Sequence, residues 1–253
     1  MVSDSPVQDV PSRPSTTWGG PLIDSDYSML EKSWINQALA DQAQLRRVTS
    51  SEGAFIVGRR DNNSYSGIIF PYVWPGENHV RECWLRRDRP EIQYDSEGHP
   101  KEKNKYLGPP GRGNLLYLVP GTRKELLHEV QVPATITEGV KKAISLHRLS
   151  WYGISDGDTP RFLSVGLAGV WNWKGTIGKA PGPDGSRRDV KGVIADFDRI
   201  LWAGRKVYVV YDSNVNINSI VNSARRGLTS ELRRRGSSVL WVNLPRIDGR
   251  ARD

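Results

Sequence analysis

The chain has 253 residues, a hydrophobic fraction of 37% and a formal net charge of +8. This length allows one large domain or two ordinary ones. The basic excess suits a polyanionic partner such as nucleic acid, although an ordinary basic surface explains the charge equally well. Cys83 is the single cysteine, which excludes an internal disulfide and a cysteine-rich zinc site.

The sequence lacks the patterns of a membrane or secreted protein. No run approaches the roughly 18 consecutive apolar residues of a spanning helix, and the N-terminus lacks the apolar core of a signal peptide. A reducing cytosol is the natural compartment for a chain without disulfides. We therefore expect a cytoplasmic protein without a membrane partner.

The first half of the chain predicts a small α+β domain over residues 26–126. Residues 1–25 are rich in Pro, Ser and Asp, which predicts a flexible tail. Apolar residues then recur at helical spacing from Tyr27 to about Arg46. The runs typical of short strands are 53–60, 66–74, 79–87 and, after a loop-rich segment, 115–119.

The second half, residues 127–253, alternates apolar strand-like runs with amphipathic segments. The predicted strands are 130–137, 161–173, 205–211 and 238–244. The predicted helices are 140–149, 190–202 and 218–236, and residues 178–189 are predicted as a loop. Strands that alternate with helices indicate an α/β domain with a parallel sheet.

Two acidic residues stand where predicted strands end. Glu138 and Asp212 each follow a buried-type strand and precede a helix. Because the carboxyl ends of parallel strands face one crevice, we expect both carboxylates to lie in the same cleft. Oxygen ligands of this kind suit Mg²⁺. Either residue alone is more typical of a turn or a helix cap.

Four segments of the second half carry a family resemblance: TITEGVKKA, VGLAGVWNWKG, GRKVYVVYDSN and ARRGLTSELRRRGSSVLWVNLP. In this order they resemble the TOPRIM-like domain of primase and helicase-primase proteins from phages, plasmids and integrative elements. The resemblance covers residues 127–250 and implies a TOPRIM (Rossmann-like) fold with a central parallel sheet. TOPRIM domains have a conserved Glu after the first strand, matched by Glu138, and an Asp-x-Asp motif, whose first acid is matched by Asp212.

The resemblance implies a site for Mg²⁺ or Mn²⁺ on Glu138, Asp212 and Asn214. Asn214 replaces the second acid of the Asp-x-Asp motif, and its neutral side chain should lower the metal affinity. A further acid is expected to help, and Asp196 ranks first because it lies just before the strand that leads to Asp212. A helix cap is the alternative role for Asp196. The family also tends to carry an acidic pair after the last strand, which would begin near Asp253.

The first half resembles the segment that precedes TOPRIM in bacterial-type primases, on GIIFPYVWPGENHVRECWLRR and KYLGPPGRGNLLY. That match implies that Lys105 approaches template or nucleotide phosphate and that Arg86, Arg87 and Arg112 add positive charge nearby. A solvated basic loop is the alternative. Lys141 and Lys142, which follow Glu138, complete the set of expected nucleic-acid contacts.

These features together predict a metal-dependent, primase-like nucleotidyltransferase of a phage or mobile element. Its expected partners are a single-stranded DNA template, nucleotides and a replicative helicase domain or subunit. Two alternatives stay open at this point. One is a catalytically weak nucleic-acid-binding module of a larger helicase-primase, which the neutral Asn214 favours. The other is a TOPRIM nuclease, since the same carboxylates can cleave a phosphodiester.

Overall fold

The first part of the chain folds around an antiparallel sheet. The computed structural model describes residues 18–94, 98–155, 158–213, 215 and 217–245. Four strands form this sheet in the order β1-β2-β3-β6, and β4 and β5 pair separately. The elements are α1 (Asp24–Glu31), α2 (Gln37–Gln42), β1 (Arg46–Val48), α3 (Ser50–Ile56), β2 (Gly67–Val73), β3 (Val80–Arg87), β4 (Glu91–Tyr94), β5 (Pro100–Lys103) and β6 (Tyr106–Leu107).

The second part contains a four-stranded parallel sheet in the order β12-β11-β7-β8. Its mixed α/β architecture confirms the predicted parallel sheet. The elements are a 3₁₀ helix (Lys124–Leu127), β7 (Ala134–Glu138), α4 (Val140–Trp151), β8 (Leu163–Leu167), β9 (Lys174–Pro181), β10 (Arg187–Val193), a 3₁₀ helix (Ala195–Arg199), β11 (Lys206–Val210), α5 (Ser219–Arg234) and β12 (Ser238–Val242).

Three local predictions from the sequence were wrong. The first half of the run 53–60 lies in helix α3, because Thr49 and Glu52 form a capping box that starts a helix there. The predicted loop 178–189 is part of the β9–β10 hairpin, a two-stranded antiparallel ribbon. The predicted helix 190–202 is divided between β10 and a short 3₁₀ helix.

The N-terminal region also differs from its prediction. Residues 1–17 of the predicted tail lie outside the described residues, whereas residues 18–25 pack against the antiparallel sheet. Leu22 is buried, and Gly20 pairs with Arg47 of β1. The helical pattern after Tyr27 is divided into α1 and α2, because Trp34 adopts a left-handed backbone (φ 58°) between them.

The two long helices of the second part cover opposite faces of the parallel sheet. Alternate residues of its strands, such as Ile136 and Val209, share a hydrophobic cluster with Leu228 of α5. On the other face, Ser164 Oγ donates a hydrogen bond to the carbonyl oxygen of Ala143 in α4 (2.7 Å). Gly166 permits this close approach, since a Cβ there would lie 2.9 Å from Ala143 Cβ.

Residues 115–119 connect the two parts. The predicted strand is reduced to one antiparallel bridge, in which Tyr117 and Gly166 exchange hydrogen bonds of 2.9 and 2.8 Å. Tyr117 also packs with Phe70 of β2 and Ile144 of α4 in one buried cluster. The antiparallel sheet is thus packed against the α4 side of the parallel sheet.

None of the helices in the described part of the chain combines the length and apolar character needed to cross a lipid bilayer. The predicted division into domains at residues 26–126 and 127–253 stays a prediction.

A buried carboxyl group lies within the antiparallel sheet. Glu82 of β3 is 6% exposed and accepts a hydrogen bond of 2.8 Å from Trp84 Nε1. Burial raises the pKa of Glu82 to about 7, although its hydrogen bond to Trp84 and the charges of Arg112 and Arg81 oppose the rise. The folded protein therefore holds this proton more tightly than the unfolded chain does.

We predict that Glu82→Gln stabilises the protein at pH 8. A carboxyl whose pKa is raised on folding loses stability as the pH rises from about 4.5, its unfolded value, through 7. The variant should gain on the order of 1–3 kcal/mol at pH 8, and the gain should vanish below pH 4.5. Urea denaturation across this pH range measures it. Glu125→Gln, at an exposed position, is the control, and an equal destabilisation at every pH would contradict the prediction.

Candidate functional site

The two predicted carboxylates come together at the carboxyl ends of β7 and β11. Glu138 is the last residue of β7, and Asp212 follows the last residue of β11 by two positions. β7 and β11 are neighbours in the sheet and run parallel. The connection from β7 leads through α4 to β8, whereas the connection from β11 leads through α5 to β12, on the other side. The two acids therefore flank a topological switch point, where open α/β sheets have their ligand crevice.

The backbone after Glu138 turns sharply into α4. Gly139 has a φ of 97°, a conformation that favours glycine, and forms the N-cap of the helix. Its amide donates a hydrogen bond of 2.7 Å to the carbonyl oxygen of Leu167 in β8. Asp212 does not cap α5, because Asn218 accepts the first amide hydrogen bonds of that helix. The carboxylate of Asp212 is thus available for other contacts.

Lys142 joins the two carboxylates. Its Nζ atom lies 3.6 Å from Glu138 Oε2 and forms a closer ion pair with Asp212 Oδ1. Lys142 is in the first turn of α4, where the helix dipole disfavours a cation. The two carboxylates offset that effect, and the ammonium group reduces the repulsion between them. All three side chains are 23–31% exposed, so solvent and small ligands reach the cluster.

Tyr211 supports the loop beside this cluster. Its side chain is 1% exposed, and its hydroxyl donates a hydrogen bond of 3.3 Å to the carbonyl oxygen of Val170. Burial, together with the charge of Glu138, raises the pKa of the Tyr211 hydroxyl. The hydroxyl stays protonated at neutral pH and holds the segment between β8 and β9 next to the carboxylates.

Asp196 has a different environment. It is 3% exposed, and the guanidinium of Arg81 donates hydrogen bonds of 3.0 and 2.8 Å to its two oxygens. The amide of Leu116 donates a third bond, of 2.9 Å. These contacts join the 3₁₀ helix 195–199 to the antiparallel sheet. They argue against the expected metal-ligand role of Asp196 and indicate a structural one.

Asn214, the remaining expected ligand, lies outside the described residues. Within the described part of the chain, no three His, Cys, Asp or Glu side chains gather in a way that could hold a metal ion. The two carboxylates that contact Lys142 in this part of the chain are those of Glu138 and Asp212. A divalent cation there would be held by these two groups and would keep several waters, as Mg²⁺ commonly does in proteins.

Arg86 and Arg87 lie in β3, and their side chains are not arranged as a simple phosphate-binding site. Arg87 is 2% exposed, and its guanidinium donates to Ser64 and to Glu91 Oε1 (2.8 Å) and lies over the ring of Tyr65. Its position argues against the expected phosphate contact, because a buried, fully engaged guanidinium cannot reach a nucleic-acid backbone. Arg86 is partly buried, with its Nε atom in the interior.

The other expected basic contacts have different degrees of exposure. Arg112 is exposed. Lys105 is 33% exposed and pairs with Glu102. Lys141 is partly buried, with its Nζ atom 3.6 Å from the sulfur of Met29. Lys142 bridges the carboxylates from the first turn of α4, four residues after Glu138 at the end of β7.

We predict that Asp196 and Glu138 contribute differently to stability. Asp196→Ala leaves the partly buried Arg81 guanidinium without its carboxylate, which should cost about 3 kcal/mol of unfolding free energy. Glu138→Ala removes one partner of a partly exposed cluster and should cost about 1 kcal/mol or less. Chemical denaturation of both variants measures the difference. Equal losses would show that Asp196 does not have the structural role that its contacts indicate.

The comparison with known proteins concerns the same part of the chain. No curated protein matches this sequence. A family model described as "Domain of unknown function (DUF3854)" matches residues 124–252. The matched segment contains the whole parallel sheet together with Glu138, Lys142 and Asp212. Since the match spans just over half of the 253 residues, the chain belongs to the DUF3854 family.

Proposed function

We propose that this chain contains a TOPRIM-type domain and acts as a divalent-cation-dependent, primase-like nucleotidyltransferase in the replication of a phage or mobile element. The observation that supports the proposal most is the pairing of Glu138 and Asp212 across a topological switch point. Two carboxylates at such a crevice suit a cation that also binds phosphate. The sequence resemblance independently assigns these two residues to the acidic motifs of the TOPRIM domain.

The donor set fits a hard divalent cation. Glu138 and Asp212 together carry four carboxylate oxygens, and Mg²⁺ and Mn²⁺ prefer oxygen ligands. When bound, the ion would polarise phosphoryl oxygen and stabilise the charge that develops during nucleotidyl transfer. Asn214 lies two residues after Asp212 in the sequence and contributes no negative charge, which favours weak rather than tight binding of the ion.

Lys142 determines how the cluster responds to a phosphate group. Lys142 offsets part of the negative charge of Glu138 and Asp212. A bound divalent cation would repel the ammonium group from this position. The long side chain can then turn towards phosphate oxygen without leaving the first turn of α4. Lys142 is thus proposed as a phosphate ligand that forms ion pairs with the carboxylates when no substrate is bound.

The expected template contacts rest on the basic residues of the first half that solvent reaches. Arg112 and Lys105 are accessible and can meet the phosphates of a single strand. Arg87 is left out of this set because it is buried. Nucleotides and a single-stranded DNA template are the proposed substrates, with a helicase domain or subunit as a proposed partner.

One observation favours a second candidate, a nucleic-acid-binding module without catalysis. The ammonium of Lys142 already compensates part of the charge of both acids, so the cluster is stable without a metal ion. In this alternative Lys142 is a permanent counter-ion, and the carboxylates only position it. The two candidate functions predict different effects on metal binding when the charge of Lys142 is removed.

We predict that Lys142→Met increases the affinity for Mn²⁺ about tenfold or more, because the competing ammonium group is removed. Titration calorimetry or the paramagnetic effect of Mn²⁺ on water relaxation measures this. Lys141→Met, in the same helical turn but next to Met29, is the matched control and should leave the affinity unchanged. Glu138→Gln and Asp212→Asn should each abolish the binding.

The same variants test the activity. The intact chain should incorporate labelled nucleotides on a single-stranded template with Mg²⁺ or Mn²⁺, and Glu138→Gln should stop it. Lys142→Met should reduce incorporation although it binds the metal more tightly, since the proposed phosphate ligand is lost. Nucleic-acid binding that is unchanged by chelator, without incorporation, would favour the binding module. Shortened DNA would favour a TOPRIM nuclease.

A further inference from the structure

The β9–β10 hairpin is the part of the molecule that the proposed chemistry leaves without a role. None of its residues from 176 to 191 is buried, so this stretch adds nothing to the hydrophobic core. An isolated two-stranded ribbon is marginally stable in water. Such a projecting element is best explained by a contact outside the molecule.

The base of the hairpin is firmly attached beside the carboxylate cluster. β8, which precedes it, ends at Leu167 in register with Glu138. Trp173 is 7% exposed, and Asn114 Nδ2 donates a hydrogen bond of 2.8 Å to the carbonyl oxygen of Lys174. The Lys174 ammonium lies 4.3 Å from the ring centre of Trp171. The hairpin therefore starts from a fixed position at the same sheet edge as the two acids.

The charge of the hairpin is positive. Residues 174–193 contain five cations, Lys174, Lys179, Arg187, Arg188 and Lys191, and two acids, Asp184 and Asp189, which gives a net charge of +3. Asp184 pairs with Arg188, and Asp189 pairs with Lys191, each at 3.3 Å. Lys179 and Arg187 form no ion pair with any residue that the structure describes. They are exposed and carry the positive charge of the outer half of the hairpin.

The side chains of the hairpin also indicate which kind of polyanion it fits. Single strands are usually held by aromatic side chains that stack on bases, and residues 174–193 include no aromatic residue. Small residues at Gly175, Gly178, Ala180 and Gly192 reduce the thickness of the ribbon, whose exposed apolar side chains are Ile177 and Val190. A strand of eight residues extends about 25 Å. A thin basic ribbon of this length matches a DNA major groove, about 12 Å wide, which accepts a two-stranded β-ribbon.

We infer that the β9–β10 hairpin is a duplex-binding arm that holds double-stranded DNA beside Glu138 and Asp212. Lys179 and Arg187 contact phosphates, and the thin ribbon lies in or along the groove. The inference rests on the proposed function in one respect only, the origin of the duplex. In that function the duplex is the paired region of the template next to the site of synthesis. Binding itself requires neither nucleotide nor a divalent cation.

The test measures binding of the full chain to a fluorescent DNA duplex of about 20 base pairs and to one of its strands, with chelator present. The double variant Lys179→Ala/Arg187→Ala should bind the duplex about tenfold more weakly and reduce the slope of log K against log salt by about 2. Its affinity for the single strand should stay within about twofold of the unchanged protein. Both positions are exposed, so thermal unfolding should show no loss of stability.

The matched control is Lys101→Ala/Lys103→Ala. It removes the same charge from the exposed β4–β5 hairpin and should reduce duplex affinity by less than about twofold. An equal effect of both double variants would mean that only net charge matters and would overturn the inference. So would an equal loss of single-strand and duplex binding. These measurements include no incorporation of nucleotides. The duplex-binding arm can therefore be confirmed when the proposed activity is absent, and it can be refuted when that activity is present.

Discussion

The arrangement of this site depends on one electrostatic constraint: two like charges at the end of a parallel sheet require a cation between them. β7 and β11 are adjacent, and their connections lead to opposite sides, so Glu138 and Asp212 face the same crevice. Lys142 supplies the positive charge from the first turn of α4. The first turn of α4 has this position because Gly139 adopts a left-handed backbone, which allows the helix to start directly after the strand.

The sequence was sufficient to predict the parallel sheet and the meeting of its two acids. Almost continuously apolar runs such as residues 205–211 are typical of strands covered on both faces, and a charged residue directly after such a run marks the strand's end. What the sequence did not reveal was the strand order, which depends on packing between distant elements. Without that order, the position of the switch point between β7 and β11 could not be derived, although it determines where the crevice lies.

Three departures from what the sequence led us to expect have specific physical causes. Asp196 lies in an acidic segment near the Asp212 strand, but its partner Arg81 is 115 residues away in the chain, and no local pattern reveals that ion pair. Arg87 was expected near phosphate because its segment resembles that of bacterial-type primases, yet Ser64 and Glu91 bind its guanidinium in the interior. The β9–β10 hairpin looked like a loop because Gly and Pro dominate its sequence, whereas strand pairing in an exposed ribbon leaves no hydrophobic alternation to detect.

The acid cluster repels a polyanion, whereas the basic hairpin attracts one. Two bare carboxylates at the crevice would repel phosphate, and the hairpin alone would attract nucleic acid without directing it to a reactive group. Lys142 reduces the repulsion of phosphate by the carboxylates. The attachment of the hairpin through Trp173 and Asn114 fixes the place to which the hairpin attracts nucleic acid. In the proposed arrangement, a duplex held by the exposed cations would reach a crevice whose negative charge Lys142 partly offsets. Charge placement, rather than the overall excess of +8, would then make this sheet edge suitable for nucleic acid.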